Sequence, residues 1–173
     1  MSKSETRPNI VFINVDQWRW DCLGYAGHPC VETPHLDRMF EEGVSFSNAY
    51  AAVPSCIAAR ASFMTGLTPR SHGRVGYQDR VPWNYDTTLA GLLSGAGYHT
   101  QAVGKMHVHP AREMLGFHNV VLHDGYLHTQ RRAPNDIQYV DDYVFWLRQR
   151  HGPAADYADT GIGCNGYVVR PWV

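Results

Sequence analysis

No stretch of the 173 residues is long and apolar enough to cross a membrane as a helix, so a bilayer is not the expected setting. Net charge is nearly absent: 15 Lys and Arg against 16 Asp and Glu leave −1, which removes the usual case for nucleic acid or an anionic membrane surface as partner. Arg131-Arg132 and Arg148-Gln149-Arg150 are short basic spots that solvated loop or helix faces explain. Cysteine is scarce. Cys22, Cys30, Cys56 and Cys164 could pair twice, but the segment from Met1 to Arg7 is polar and lacks the pattern of a secretory leader. Reduced thiols and a cytoplasmic setting are therefore expected, a periplasmic or secreted one only if a leader has been removed. Repeats and low-complexity tracts are also missing, which excludes solenoids and fibrous classes. What is present, 44% hydrophobic and 12% aromatic residues, suffices for the core of one domain of ordinary size.

The pattern along the chain alternates between strand and helix. Residues 8–15, Pro-Asn-Ile-Val-Phe-Ile-Asn-Val, read as a parallel strand covered on both faces. Pro34 to Glu42 reads as a helix with Leu36, Met39 and Phe40 on one face and Gly43 as its stop. Val44 to Ala49 returns as a strand, and Ile57 to Thr65 is a helix with Ser55 as candidate cap and Gly66 as stop. A further helix starts near Asp86-Thr87-Thr88-Leu89, its Leu89, Leu92 and Leu93 forming a core stripe that ends around Gly95 to Gly97. Gly97 to Val103 reads as a strand, Pro110 to Pro134 as loop without firm periodicity, and Asn135 to Arg150 as an amphipathic helix with Ile137, Val140, Val144 and Leu147 inward. Residues 1–7 are expected to be disordered, 8–151 to form a partial α/β domain, and 152–173 to be a loop or tail.

Three clusters carry candidate chemistry. Cys56 stands four places before Arg60 at the expected start of a helix, where free N–H groups and the positive end of the dipole favour anions. A lone cysteine would be read as a small buried hydrophobe. Asp16 and Gln17 close the first strand, and ligands gather beyond the carboxyl ends of such strands. Their carboxylate and amide oxygens suit a hard divalent cation, although Asp16 alone reads equally well as the cap of a turn or helix. Lys105 and His107 follow the later strand, two apart and so expected on one side of an extended segment, as a point charge for an anionic oxygen and a proton-exchanging group. Standing alone that pair would be a solvated strand end, and His109, in a chain of 10 histidines, is taken as a solvated loop residue.

Together with Thr33-Pro34-His35-Leu36-Asp37, Gly43-Val44-Ser45-Phe46, Cys56 to Gly66 and Gly104 to His107, these clusters resemble, in order, the N-terminal part of the sulfatase family within the alkaline-phosphatase-like superfamily. The resemblance covers Arg7 to about His107. It implies an α/β fold, the N-terminal part of a doubly wound sheet with helices on both faces. It also implies that a maturation enzyme oxidises Cys56 to formylglycine, whose hydrated aldehyde attacks the sulfur of a sulfate ester and later collapses to release sulfate. By the same resemblance Asp16, Gln17 and the modified Cys56 would be ligands of a divalent cation, Ca²⁺ ahead of Mg²⁺ or Mn²⁺. Arg60 would steady the modified side chain, and Lys105 and His107 would contact sulfate and the formylglycine hydroxyls.

The chain departs from the family pattern at several points. Ala58 stands where the usual modification motif has proline, a form similar to substrates of radical, oxygen-independent maturation enzymes. The run Asp16-Gln17-Trp18-Arg19 resembles a bacterial subset that includes phosphonate monoester and phosphodiester hydrolases. No block after His109 matches the family's second metal pair; Asp141, Asp142, Asp156 and Asp159 are read as helical surface or loop residues. The expectation is therefore an N-terminal portion of a sulfuric ester hydrolase acting on a sulfated small molecule or sugar, with a missing C-terminal portion or self-association completing it. A phosphonate monoester or phosphodiester hydrolase is the rival enzyme, and a non-catalytic interaction or structural module is the rival from another class.

Overall fold

The computed structural model describes residues 7–124 and 140–155. These fall in two compact units, Met1–Tyr50 and Ala51–Val173. The expected tail beyond residue 155, with Asp156, Asp159 and Cys164, lies outside the described residues, as do Arg131, Arg132 and Ile137.

The first unit holds helix α1, Pro34–Glu42, with proline in its first turn and Gly43 after its last residue. Its anchor is polar. Asp37 Oδ1 accepts from Thr33 Oγ1 at 2.7 Å and from the Tyr25 N–H at 2.8 Å, while Thr33 Oγ1 accepts from the Gly24 N–H at 2.8 Å. Gly24 packs so closely on the Asp37 carboxylate that a Cβ there would collide with it. Of the expected stripe, Leu36 and Phe40 are half-buried, Phe40 under the Tyr25 ring at 5.0 Å, but Met39 is exposed.

The two strands expected in this unit do not form. Residues 8–15 form no strand, and Ile10, Val11, Phe12, Ile13 and Val15 are exposed; 44–49 is likewise no strand, with Val44 and Phe46 exposed. β-propensity supplies a pleated, apolar segment, but a strand exists only where a neighbour completes its ladder.

The second unit is mixed α/β. Helix α2, Cys56–Thr65, is stopped by Gly66 in the left-handed conformation, φ 71, as its position predicts. Then come α3, Pro69–His72, and α4, Leu89–Gly95, both capped by a threonine hydroxyl. Strands β1, Gln101–Gly104, and β2, Asn119–Leu122, pair in parallel with Gln101 opposite Asn119 and Gly104 opposite Leu122. Helix α5, Asp142–His151, closes the described chain.

The core gathers Ile57, Ala61 and Met64 of α2, Trp83, Met106, Val108, Leu115, and Val120 and Leu122 of β2. Three expectations need correction. β2 lies inside the region read as loop, because four residues are too few to show a period. In α4 the buried residue is Ala90, with Leu89 and Leu92 exposed; Gly116, at φ 89, brings its backbone against Ala90-Gly91, an approach only small residues permit. Asp141 is not on the surface. It is 1% exposed, caps α5 by accepting from the Val144 N–H at 3.0 Å, and meets His123 Nδ1 at 3.1 Å, whereas Asp142 pairs with Arg112 at 2.8 Å. Val144 and Leu147 of α5 are buried as the pattern predicts. No helix among the described residues is long and apolar enough to cross a membrane.

Candidate active site

The centre of the second unit is built from two chain reversals. The first is the start of α2. Ser55 is extended at the N-cap, and its hydroxyl makes no cap bond and is buried without a hydrogen-bond partner among the described residues, so its cap role is not realised. The Ala59 N–H is the first to bond back along the helix, to Ser55 O at 2.8 Å. The N–H groups of residues 56–58 thus have no helical acceptor and lie at the positive end of the helix. Position 58, fully buried, falls in this first turn, where neither alanine nor proline would cost a helical bond.

The second reversal follows β1. Gly104 has φ 98 and His107 has φ 58, so residues 104–107 turn instead of running on as a strand. The period-two argument for Lys105 and His107 therefore does not describe their geometry. What brings the segment to α2 is a set of long-range bonds. Arg60, one turn along from Cys56 and 5% exposed, donates from Nη1 to the Lys105 carbonyl at 2.6 Å. His107 is buried with Nδ1 3.3 Å from Cys56 Sγ and its ring edge-on to Tyr77. An imidazole at that distance can exchange a proton with the group at position 56.

Cys56, Arg60, the Lys105 backbone and His107 are thus gathered in one unit. His109 is half-buried, and its carbonyl accepts from the Trp83 N–H at 2.8 Å. A separate cleft of about 550 Å³ beside Trp83, Thr88 and Glu113 includes none of the four. Cys22, Cys30 and Cys56 are free thiols.

Asp16 and Gln17 belong to the first unit, where they turn the chain out of residues 8–15 with both side chains exposed and Gln17 at φ 55. The rest of that run is used locally: Trp18 Nε1 donates to Cys22 O at 2.9 Å, and Arg19 pairs with Asp21. The Arg19 hydrogen bond holds the Asp21 carboxyl below its ordinary range. Among the described residues no three His, Cys, Asp or Glu side chains form a ready cation site. The donor chemistry of Asp16 and Gln17, one carboxylate and one amide oxygen, does fit a hard divalent ion.

Two groups escaped the sequence reading. Asp124, 4% exposed, accepts on Oδ1 from the N–H groups of Met106 and His107. The signal was available, since an aspartate soon after the apolar run Val120-Val121-Leu122 repeats the arrangement of Asp16 after 8–15. The other is His72, under α2. Its Nδ1 accepts from the Arg74 N–H at 3.1 Å, so in the neutral ring Nε2 carries the proton and donates to Ser62 Oγ at 2.9 Å. Burial, reinforced by the Arg74 charge, pushes the imidazole below its usual 6.5. A lowered folded value means that the unfolded chain binds the extra proton first. This contribution to stability is complete above about pH 6.5 and fades as the pH falls below it toward the lowered value. Urea titrations at pH 8 and pH 5.5 should show the lower midpoint at pH 5.5, with the difference reduced in His72→Gln.

The family model described as Sulfatase matches residues 8–158. The chain is 56% identical over 170 residues to an arylsulfatase of Clostridium perfringens, covering 96% of this chain and 35% of that protein. It is 43% identical over 103 residues to an ulvan-active sulfatase of Formosa agariphila, covering 60% of this chain and 20% of that one. Among solved structures, the phosphonate monoester hydrolase of Agrobacterium radiobacter superposes with TM-score 0.66 at 26% identity, over 92% of this chain and 32% of that one. The chain therefore spans about a third, or less, of the length of these relatives.

Proposed function

The chain belongs to the sulfatase family, and on that premise we propose that it serves the hydrolysis of sulfuric esters, with a formylglycine made from Cys56 and a divalent cation, Ca²⁺ ahead of Mg²⁺ or Mn²⁺. The family generally uses both groups; when present, they supply a nucleophilic hydroxyl and a Lewis acid for the ester oxygens. In this reading Asp16 and Gln17, with the residue made from Cys56, hold the cation. Arg60 keeps the 105–107 turn against α2, Lys105 meets an anionic ester oxygen, and His107 holds or moves the proton at position 56. The helix start presents N–H groups to developing negative charge. The observation that carries the reading is the 3.3 Å approach of His107 Nδ1 to Cys56 Sγ at the first residue of α2, with Arg60 bonded to the Lys105 carbonyl.

The substrate in this proposal is a sulfated small molecule or sugar. Sugar sulfates are supported by relatives named ulvan-active sulfatase and N-acetylgalactosamine-6-sulfatase. A maturation enzyme of the radical type is the partner that Ala58 suits. The second reading, a phosphonate monoester or phosphodiester hydrolase, is favoured by the superposition on the Agrobacterium enzyme and by the run Asp16-Gln17-Trp18-Arg19.

The test has two steps. Intact mass of protein from the native host should show at position 56 the loss of one sulfur and two hydrogens and the gain of one oxygen. The modified full-length protein, of which this chain is the expected N-terminal portion, is then offered aryl sulfate and aryl phosphonate esters with added cation. Faster sulfate turnover supports the first reading, and phosphonate turnover higher by orders of magnitude replaces it with the second. No turnover of either ester by the modified full-length protein removes both and leaves a non-catalytic module.

A further inference from the structure

We infer that Asp124 is a positioning residue that sets the contact between His107 and position 56; this rests on the reading of His107 as a group at the reacting centre. Asp124 stands two residues past β2, on the side where the parallel register places Gly104 beside Leu122 and the His123 N–H on the Gly104 carbonyl at 3.0 Å. From there one buried carboxylate oxygen accepts two consecutive backbone donors, Met106 N–H at 2.8 Å and His107 N–H at 2.9 Å. Both distances are those of well-formed bonds, and an ionised acceptor strengthens them.

The need for such a clamp lies in the backbone. His107 sits at φ 58, a region that a residue with a Cβ occupies only when its surroundings impose it. Arg60 holds the preceding carbonyl, at Lys105, from the α2 side. Asp124 holds the next two N–H groups from the β2 side. Between these two grips the side chain of Met106, 2% exposed, is fixed in the core, and the His107 ring is delivered to Cys56 Sγ. Removing the Asp124 carboxylate leaves two buried donors without that acceptor and gives the backbone at His107 a reason to leave the left-handed region.

The inference is tested on the unmodified chain, by two readouts that do not depend on turnover. In amide hydrogen exchange, Met106 and His107 of the unmutated protein should exchange at least about 100-fold more slowly than in an unstructured peptide. Exchange at peptide rates overturns the inference, whether or not any variant folds. The second readout is iodoacetamide labelling of Cys56 at one fixed pH, followed peptide by peptide by mass spectrometry. His107→Ala should change the labelling rate, and Asp124→Ala should change it in the same direction to within about two-fold of that value. Asp124→Asn, which keeps one carbonyl oxygen for the two N–H groups, should restore the rate to within about two-fold of the unmutated protein.

Labelling of folded Asp124→Ala that matches the unmutated protein overturns the inference, as does an unchanged rate in His107→Ala. If Asp124→Ala does not fold, Asp124→Asn decides: retained protection of the two amides supports the clamp, and peptide-rate exchange in a folded Asn variant rejects it. Failure of these outcomes leaves the ester-hydrolysis proposal standing, while absence of turnover in modified protein leaves the clamp standing, so the two can fail separately.

Discussion

Cys56→Ala should reduce ester turnover by on the order of 10⁵-fold or more relative to the fully modified parent, with little change in melting temperature. The asymmetry follows from the place of the side chain. Cys56 is only partly buried and sits at the edge of the core formed by Ile57, Ala61 and Met64, so removing one sulfur opens no large cavity. The thiol is nevertheless what maturation acts on: the sulfur leaves, the Cβ becomes the aldehyde carbon that carries the proposed hydroxyl nucleophile, and the methyl group of alanine offers no such route. Cys56→Ser separates the nucleophile from its maturation: turnover should survive only in a host whose maturation enzyme oxidises serine. Aryl sulfate assays on both variants, beside the intact mass of each, check the prediction. Turnover by Cys56→Ala within tenfold of the parent would remove position 56 from the chemistry.

Arg60→Ala should be costly to both fold and reaction. Its guanidinium is buried and donates to the Lys105 carbonyl across a sequence separation of 45 residues. A buried bond to a charged donor contributes about 1.5–3 kcal/mol, and its loss leaves the carbonyl short of that donor in a dry environment. Urea unfolding of Arg60→Ala should therefore show a stability loss of about that size. Turnover should fall by about 10²-fold or more in the fraction that folds, because the turn carrying Lys105 and His107 loses its grip on α2 and the reacting groups no longer meet. Arg60→Lys should restore little of either, since a shorter point charge cannot reproduce the reach of the planar fork. Stability and turnover of Arg60→Lys equal to the parent's would show that any cation suffices there.

The pattern of success along the chain has a physical basis. α1 and α2 were legible almost to the residue because signals such as Pro34, Gly43 and Gly66 act within one turn, even though the Ser55 hydroxyl makes no cap bond. The fold class was legible from the alternation of apolar runs and helices, and it appears in the parallel pairing of β1 with β2. The strand reading of 8–15 and 44–49 failed for the converse reason: apolar pleated sequence specifies readiness to pair, and the partner must come from elsewhere. β2 was missed because Asn119–Leu122 is shorter than any period can reveal. The leucines of α4 misled because they satisfy a helical stripe, yet Gly116 approaches the backbone beside Ala90 and only a small residue fits beneath it.

For the candidate site, the residue types were readable and their arrangement was not. Cys56 and Arg60 share a helix face by local spacing, and the sequence alone determined that a thiol and a guanidinium stand one turn apart at a helix start. It also determined the stop at Gly66, where glycine permits the left-handed backbone, but not the reversal at Gly104, which the period-two reading had run through as extended chain. Only the tertiary structure decided that the turn after β1 folds onto that helix, because the bonds that hold it, from Arg60 to Lys105, His107 to Cys56 and Asp124 to His107, join residues 17 to 51 positions apart. Such contacts form when burial of the core brings the elements together, and no short-range period or cap encodes them.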